Sequence, residues 1–474
     1  MRHRPLLDRH GDQVCATIDL VAPLANEATD MRVEDSDGEC RDGSGAVSAL
    51  IGDSLRCGDV DSANQYSTLM TAIMPGIRTS TMATRTTGTR TTTIGFVPFA
   101  NQCADVGHAD LSFEEVVNAY FDCRQHKRNT RSALQFEANL ETKLIELYDE
   151  LLSGNYSPGK SICFVITRPK PREVWAADFR DRIVHHLLYN RIGPRFLNSF
   201  IVDSCACIEG RGTLYAAKRL EAKVRSITQN WQHRTFYMKC DIANFFVSID
   251  KPILRDLLAA KIGEPWWLWL TETVLLHDPR QCIKVQSSAD RLALVPAHKS
   301  LFNQSANNGL PIGNLSSQFF ANVYMNELDQ FVKHVIGARH YIRYVDDFIL
   351  LHESPQWLNA ARLRIEAFLL QRLAIKLNPA KTIVQPVDRG IDFVGQVIKP
   401  WRRITRRRTA HDAVHRISTV AADRIYEVAN SYFGLFRQST RSRDDRIRLA
   451  RTLMRRGYTI NSTFTKTFRK AIQR

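Results

Sequence analysis

Asp241 and the pair Asp346-Asp347 constrain the fold more than any other feature of this 474-residue chain. Asp241 ends the alternating run Thr235-Phe236-Tyr237-Met238-Lys239-Cys240, which reads as a strand. Tyr344-Val345-Asp346-Asp347 interrupts a run of β-formers, with Tyr341-Ile342-Arg343 before it and Phe348-Ile349-Leu350-Leu351 after, and so reads as a hairpin with two acids at its tip. Carboxylates gathered at strand ends repel one another unless cations lie between them. Two Mg²⁺ about 4 Å apart meet that demand, and phosphoryl transfer to a 3′-hydroxyl requires the same pair. The Tyr-x-Asp-Asp tetrapeptide is a weak signal by itself, so its surroundings decide.

The net charge of +16 is unevenly spread. Residues 1–105 hold nine arginines, no lysine and fourteen acids, so the basic excess belongs to the rest of the chain. The partner expected of that body is a phosphate backbone. No apolar run approaches the roughly 18 residues of a membrane span, and Met1 is not followed by a signal-peptide core, so a soluble cytoplasmic protein with no membrane partner is expected. Ten cysteines without a C-x-x-C pair point to reduced structural thiols rather than a zinc ribbon. His411 and His415 share helical spacing, but Asp412 stands where a zinc protease needs Glu, and a solvated helix is expected.

Nine threonines fall within Thr79–Thr93, and the pieces before them lack a sustained period, so 1–105 is expected to be disordered: an appended acidic tail, or the product of a start upstream of Met74 or Met82. Order begins with the capping box Ser112-Phe113-Glu114-Glu115. A helix follows with Leu140, Leu144, Leu147 and Leu151 on one stripe, ending at Gly154. Then come a strand over Ile162–Ile166, a helix over Asp181–Ile192, and a Gly-rich loop at 209–213 that opens another helix. Trp266, Trp267 and Trp269 read as core aromatics. Gly309–Gln318 is a turn-rich loop feeding a helix over Phe319–Val332, so its amides can face a nucleotide. Beyond the hairpin are an amphipathic helix carrying Leu358, Ala361, Ile365, Phe368 and Leu369, a short strand at 391–395, the basic run Lys399–Arg408 and a basic helical remainder.

Five ordered motifs together resemble a reverse transcriptase: Lys239–Phe246, Gly309–Gln318, Tyr344–Phe348, Leu377-Asn378-Pro379-Ala380-Lys381-Thr382 and Phe393-Val394-Gly395. Ile312-Gly313-Asn314-Leu315-Ser316-Ser317-Gln318 has an aliphatic residue before Gly and ends in Ser-Gln, as in the diversity-generating retroelement clade. Arg168–His186 and Asn430–Leu435 look like the same bacterial, group II intron-like group. The resemblance implies an α+β right-hand polymerase whose palm is an antiparallel sheet with helices. Fingers are expected over 106–235 and the palm over 236–398. The reverse transcriptase domain would span about 140–398, with an insertion at 251–308, and a basic helical thumb would follow over 399–474.

The resemblance also implies an RNA template, a DNA or RNA primer and dNTPs as substrates, two Mg²⁺ as cofactors, and a basic helical accessory protein. Asp241 and Asp346 would hold both metals with the Ile242 carbonyl, and Asp347 would complete the acidic cluster. Lys381 would protonate the leaving pyrophosphate. Lys170 and Arg172 match positions that grip the triphosphate, and Phe246 would exclude a 2′-hydroxyl. Ile312, Gly313 and Gln318 would line the nascent pair. Ile312 stands where most of the family has Gln, and the loss of one polar contact, on the order of 1–3 kcal/mol, implies low fidelity opposite template adenine. Two alternatives stay open at this point. One is a defence-associated or group II intron-like reverse transcriptase; the other is a non-catalytic RNA-binding or splicing cofactor, against which three intact acids argue.

Overall fold

The computed structural model describes residues 110–125, 130–168 and 170–468. The disorder expected over 1–105 lies outside them. Ser112 starts helix α1 (Phe113–Arg124) with both halves of the capping box: its hydroxyl accepts from the Glu115 amide at 3.2 Å, and its own amide donates to Glu115 Oε2 at 2.9 Å. Helix α2 (Arg131–Glu137) leads into α3 (Leu140–Leu152), which buries Leu144, Leu147 and Leu151 and releases the chain through Gly154 at φ 70°. Strands β1 (Ser161–Ile166) and β2 (Arg172–Ala176) form an antiparallel hairpin. Helix α4 (Phe179–Leu197) is longer than its expected Asp181–Ile192 core. Asp178 caps it, and buried Phe179 and Phe196 anchor its two ends outside the stripe that the spacing reveals. Helix α5 (Thr213–Ile227) follows the Gly-rich loop, as expected.

The catalytic candidates lie on a four-stranded antiparallel sheet ordered β5 (His340–Tyr344), β6 (Asp347–His352), β3 (Phe236–Asp241), β7 (Ile383–Pro386). Alternation along the strands divides their side chains between two cores. Met238, Cys240, Tyr341, Phe348 and Leu350 join the main core with α4, α10 (Leu315–Gln330) and α11 (Pro355–Leu373). Tyr237, Ile342, Ile349 and Leu351 face a second core with α5 and the small sheet β8 (Ile391–Phe393), β9 (Gln396–Lys399), β10 (Arg402–Thr405). A sheet covered on both faces has its register fixed twice over.

Residues 251–308 do more than interrupt the motif order. After the short α6 (Phe245–Ser248), they supply α7 (Lys251–Ala259), α8 (Pro265–Leu276), β4 (Ile283–Val285) and α9 (Ala289–Ala293). Strand β4 pairs in parallel with β1 and gives that hairpin its third strand. Trp266 and Trp267 are buried in the main core and Trp269 packs against it, in agreement with the core reading. Strands β7 and β10 are among the elements that escaped the sequence patterns. Strand β7 is four residues long, too short to show a period. Part of the basic run forms β10, whose Arg403 points inward to Glu221 at 2.8 Å. Helix α10 begins at Leu315 rather than Phe319, because Asn314 is the last extended residue and no Gly or Pro follows to delay the first turn.

The C-terminal helices α12 (Arg407–Thr419), α13 (Ile425–Arg437) and α14 (Arg443–Arg455) close around a separate core built on Ile417, Phe433, Phe436 and Leu453. His411 and His415 are exposed on α12, as a solvated helix requires. The expected α+β class holds. No helix among the described residues is long and apolar enough to cross a membrane.

The backing of the central sheet by α11 is directly testable. Ile365→Ala, at a site with no exposure, is expected to cost about 2–5 kcal/mol. Leu363→Ala, 60% exposed on the same helix, is expected to stay within about 0.5 kcal/mol of the parent in urea unfolding.

Candidate active site

Strand pairing brings the first two carboxylates together. Asp241, the last residue of β3, is the register partner of Asp347, the first residue of β6, so the two side chains leave the sheet on one face. Asp346 sits in the turn between β5 and β6. Val345 holds φ 58° there, a conformation unfavourable for a β-branched residue. The Asp346 carbonyl accepts from the Ile242 amide at 3.3 Å, so the turn is tied to the chain leaving β3. Ile242 is itself buried and bridges to Leu377.

Burial first, then the charges of Asp241 and Asp347, push the Asp346 carboxyl up to about 6, while the Arg172 guanidinium pulls the other way. Asp347 is also raised by burial, against the opposing pull of Lys239, whose Nζ lies 2.9 Å from Asp347 Oδ2. Lys381 Nζ lies 2.7 Å from Asp241 Oδ2, and Asn378 donates to the same oxygen at 3.3 Å. The expected acid cluster is therefore present, each flank held by a lysine. Among the described residues no three His, Cys, Asp or Glu side chains close into a metal cage. The donor chemistry nonetheless fits a divalent cation. Hard carboxylate oxygens converge, and Asp347 Oδ1 is buried without a hydrogen-bond partner.

The Gly309–Gln318 segment is stitched to both sides of this cluster. Leu310 donates to the Phe246 carbonyl at 2.8 Å, and Trp175 of β2 donates to the Ile312 carbonyl at 2.7 Å. The Asn314 side chain accepts from Ala177 at 3.1 Å. Gly313 has φ 126°, and a Cβ there would lie 2.9 Å from Val174 Cγ1 and 3.1 Å from the Trp175 carbonyl, so the close approach demands glycine. These contacts draw Phe246, Ile312 and Gly313 to the strand that carries Arg172. Gln318 lies in the first turn of α10, half-buried. Lys170 is exposed between β1 and β2, and no contact joins it to the cluster.

Over residues 168–398 the chain matches the family model described as reverse transcriptase (RNA-dependent DNA polymerase). The chain carries a reverse transcriptase domain. Its enzymatic activity is RNA-directed DNA polymerisation, and enzymes of this family use divalent metal ions. The chain is 21% identical over 333 residues to Protein YkfC of Escherichia coli (strain K12), covering 63% of this chain and 81% of that protein. It is also similar to apo telomerase from Candida tropicalis, truncated from its C-terminal domain, at 13% identity and a TM-score of 0.38. That likeness covers 55% of this chain and 59% of the telomerase chain.

Two residues of the site were not singled out by sequence. Asn378 lies inside the Leu377–Thr382 motif, and its amide nitrogen also donates to the Asp241 carbonyl at 2.7 Å. Lys239 was legible in principle, since it lies two residues before Asp241 on the same strand face. It also donates to the Asp392 carbonyl at 2.9 Å, linking the acid cluster to the small sheet.

The glycine requirement at 313 predicts a contrast. Gly313→Ala forces β2 and the loop apart and is expected to cost more than about 1 kcal/mol and most of the polymerase activity. Gly434→Ala, in α13 with open space around it, is expected to leave activity unchanged and stability equal or up to about 1 kcal/mol higher. Thermal melts and primer extension on both proteins check this.

Proposed function

We propose that this reverse transcriptase extends a DNA or RNA primer on an RNA template with dNTPs, using two Mg²⁺, and that it performs error-prone cDNA synthesis for a diversity-generating retroelement. The single observation that carries the catalytic reading is the register pairing of Asp241 with Asp347 beside the Asp346 turn. In this reading the four-stranded sheet is the palm, the β1–β2–β4 sheet with its helices forms the fingers, and α12–α14 are a basic thumb on the duplex. The work is done in the cytoplasm, with a basic helical accessory protein as a further partner.

Asp241, Asp346 and the Ile242 carbonyl would hold the cations, with Asp347 completing the cluster. Bound there, the cations lower the pKa of the primer 3′-hydroxyl and neutralise pyrophosphate. Lys381, half-exposed on the rim, donates a proton to the departing pyrophosphate. Arg172, exposed and close enough to Asp346 to pull its pKa down, grips the triphosphate with help from Lys170. Phe246 lies beneath the sugar and excludes a 2′-hydroxyl. Gly313 and Gln318 shape the floor under the nascent pair.

Asp241→Asn and Asp346→Asn are expected to lower the extension rate by several orders of magnitude with RNA binding nearly intact. Extension at the parent rate by either purified variant would remove the catalytic assignment.

The clade assignment rests on Ile312-Gly313 and Ser317-Gln318. With no polar side chain at 312, positioning relies on stacking and base pairing, so errors are expected to concentrate opposite template adenine. Ile312→Gln should reduce that bias. Sequencing cDNA copied from a defined RNA by both proteins decides the matter, and equal error opposite all four bases in the parent would refute the retroelement role.

A further inference from the structure

Arg343, the residue before Tyr344-Val345-Asp346-Asp347, is fully buried, as is its partner Asp329 on α10. A buried guanidinium is costly unless each donor finds an acceptor. Here all five do. Nε and one terminal nitrogen reach the two Asp329 oxygens at 2.8 and 2.6 Å. That nitrogen also reaches Ser204 Oγ at 2.9 Å. The other terminal nitrogen donates to Asn322 Oδ1 at 3.2 Å and to the Val345 carbonyl at 3.0 Å. Tyr341 adds its hydroxyl to Asp329 at 2.7 Å, and Asn322 donates in turn to the Ala206 carbonyl at 2.8 Å.

The geometry of this cluster does more than fill a hole. Val345 has φ 58°, and a β-branched residue leaves that conformation unless something holds it. The guanidinium bond to its carbonyl holds it from below, alongside the bond from the Ile242 amide to the Asp346 carbonyl. Asp329 and Asn322 belong to the helix whose N-terminal end carries the Ile312–Gln318 loop, so one planar group spans the turn bearing Asp346 and the helix behind the nucleotide loop. We propose that Arg343 is a positioning residue for polymerisation: through Val345 it fixes the Asp346 turn against helix α10 and sets where that carboxylate stands relative to the incoming nucleotide. The proposal rests on the assignment of Asp346 to the catalytic cluster made above.

A lysine can keep the charge next to Asp329 but cannot reproduce the planar fork to Val345, Asn322 and Ser204. The test uses the full chain and two readouts. In the metal-free protein, Arg343→Lys is expected to speed hydrogen exchange at the Val345–Asp347 amides at least tenfold. In primer extension it is expected to lower kcat at least tenfold and to raise the Mg²⁺ concentration for half-maximal rate severalfold, with KM for the primer-template changed less than twofold. Asn322→Leu, which removes one acceptor and leaves the ion pair, serves if Arg343→Lys does not fold, and is expected to shift exchange and Mg²⁺ dependence two- to fivefold in the same direction. Arg403→Lys, where a buried arginine meets the partly exposed Glu221, is expected to lower Tm without moving the Mg²⁺ dependence. Parent-like exchange and Mg²⁺ dependence in a folded Arg343→Lys or Asn322→Leu protein would overturn the proposal. Asp346→Asn run alongside separates the two failures: if it stays active the site assignment falls, and if it is inactive while Arg343→Lys is parent-like only the positioning role falls.

Discussion

The pairing of β3 with β6 is the constraint on which the rest depends. Asp241 opposite Asp347 is the last rung of a six-residue ladder that begins with Phe236 opposite His352. A slip by one residue would send Met238 and Cys240 out of the main core and Tyr237 into it, and would part the two carboxylates. Hydrophobic burial on both faces therefore stabilises a geometry that the carboxylates alone would disfavour, since like charges at adjacent strand ends repel. The sheet supplies the precision, and the lysines and arginines around it offset the charge.

Those cations are arranged in depth. Arg343 lies beneath the turn with every donor satisfied, Lys239 flanks the cluster at the level of the sheet, and Lys381 and Arg172 stand at the more open rim. The deeper a cation lies, the more bonds fix it and the less freely it can exchange partners with a substrate. This gradient separates groups locked into the fold from groups open to solvent. It also explains why Asp347 keeps one carboxylate oxygen committed to Lys239 and the other without a partner.

Much of this was legible in the chain. The alternation at 235–241 and 341–351 located the strands, the helical stripe at Leu358, Ala361, Ile365 and Leu369 located α11, and the turn residues of Gly309–Gln318 located the loop before α10. What stayed hidden shares one physical cause: partners distant in sequence. Arg343 reads as a polar interruption of a strand until Asp329 and Ser204 are placed around it. Arg403 reads as part of a basic tract until Glu221 is seen opposite. Strand β4 is three residues long and carries no period of its own, so only its partner β1 reveals it. Helix α4 outran its visible pattern because its ends are held by single aromatic anchors rather than by a repeating stripe.

The parallel pairing of β4 with β1 bears on how the protein comes to be made. Ser161, Ile162 and Cys163 leave the ribosome long before Ile283, Lys284 and Val285, and in that interval the open side of β1 presents unpaired backbone groups. Closing so long a loop is entropically expensive and slow compared with forming the β1–β2 hairpin. The nascent chain thus passes through a stage in which an apolar strand edge is uncovered and prone to pair with a neighbour. Completion of this sheet is therefore a late event, set by the arrival of residues 283–285 rather than by the stability of the β1–β2 hairpin itself.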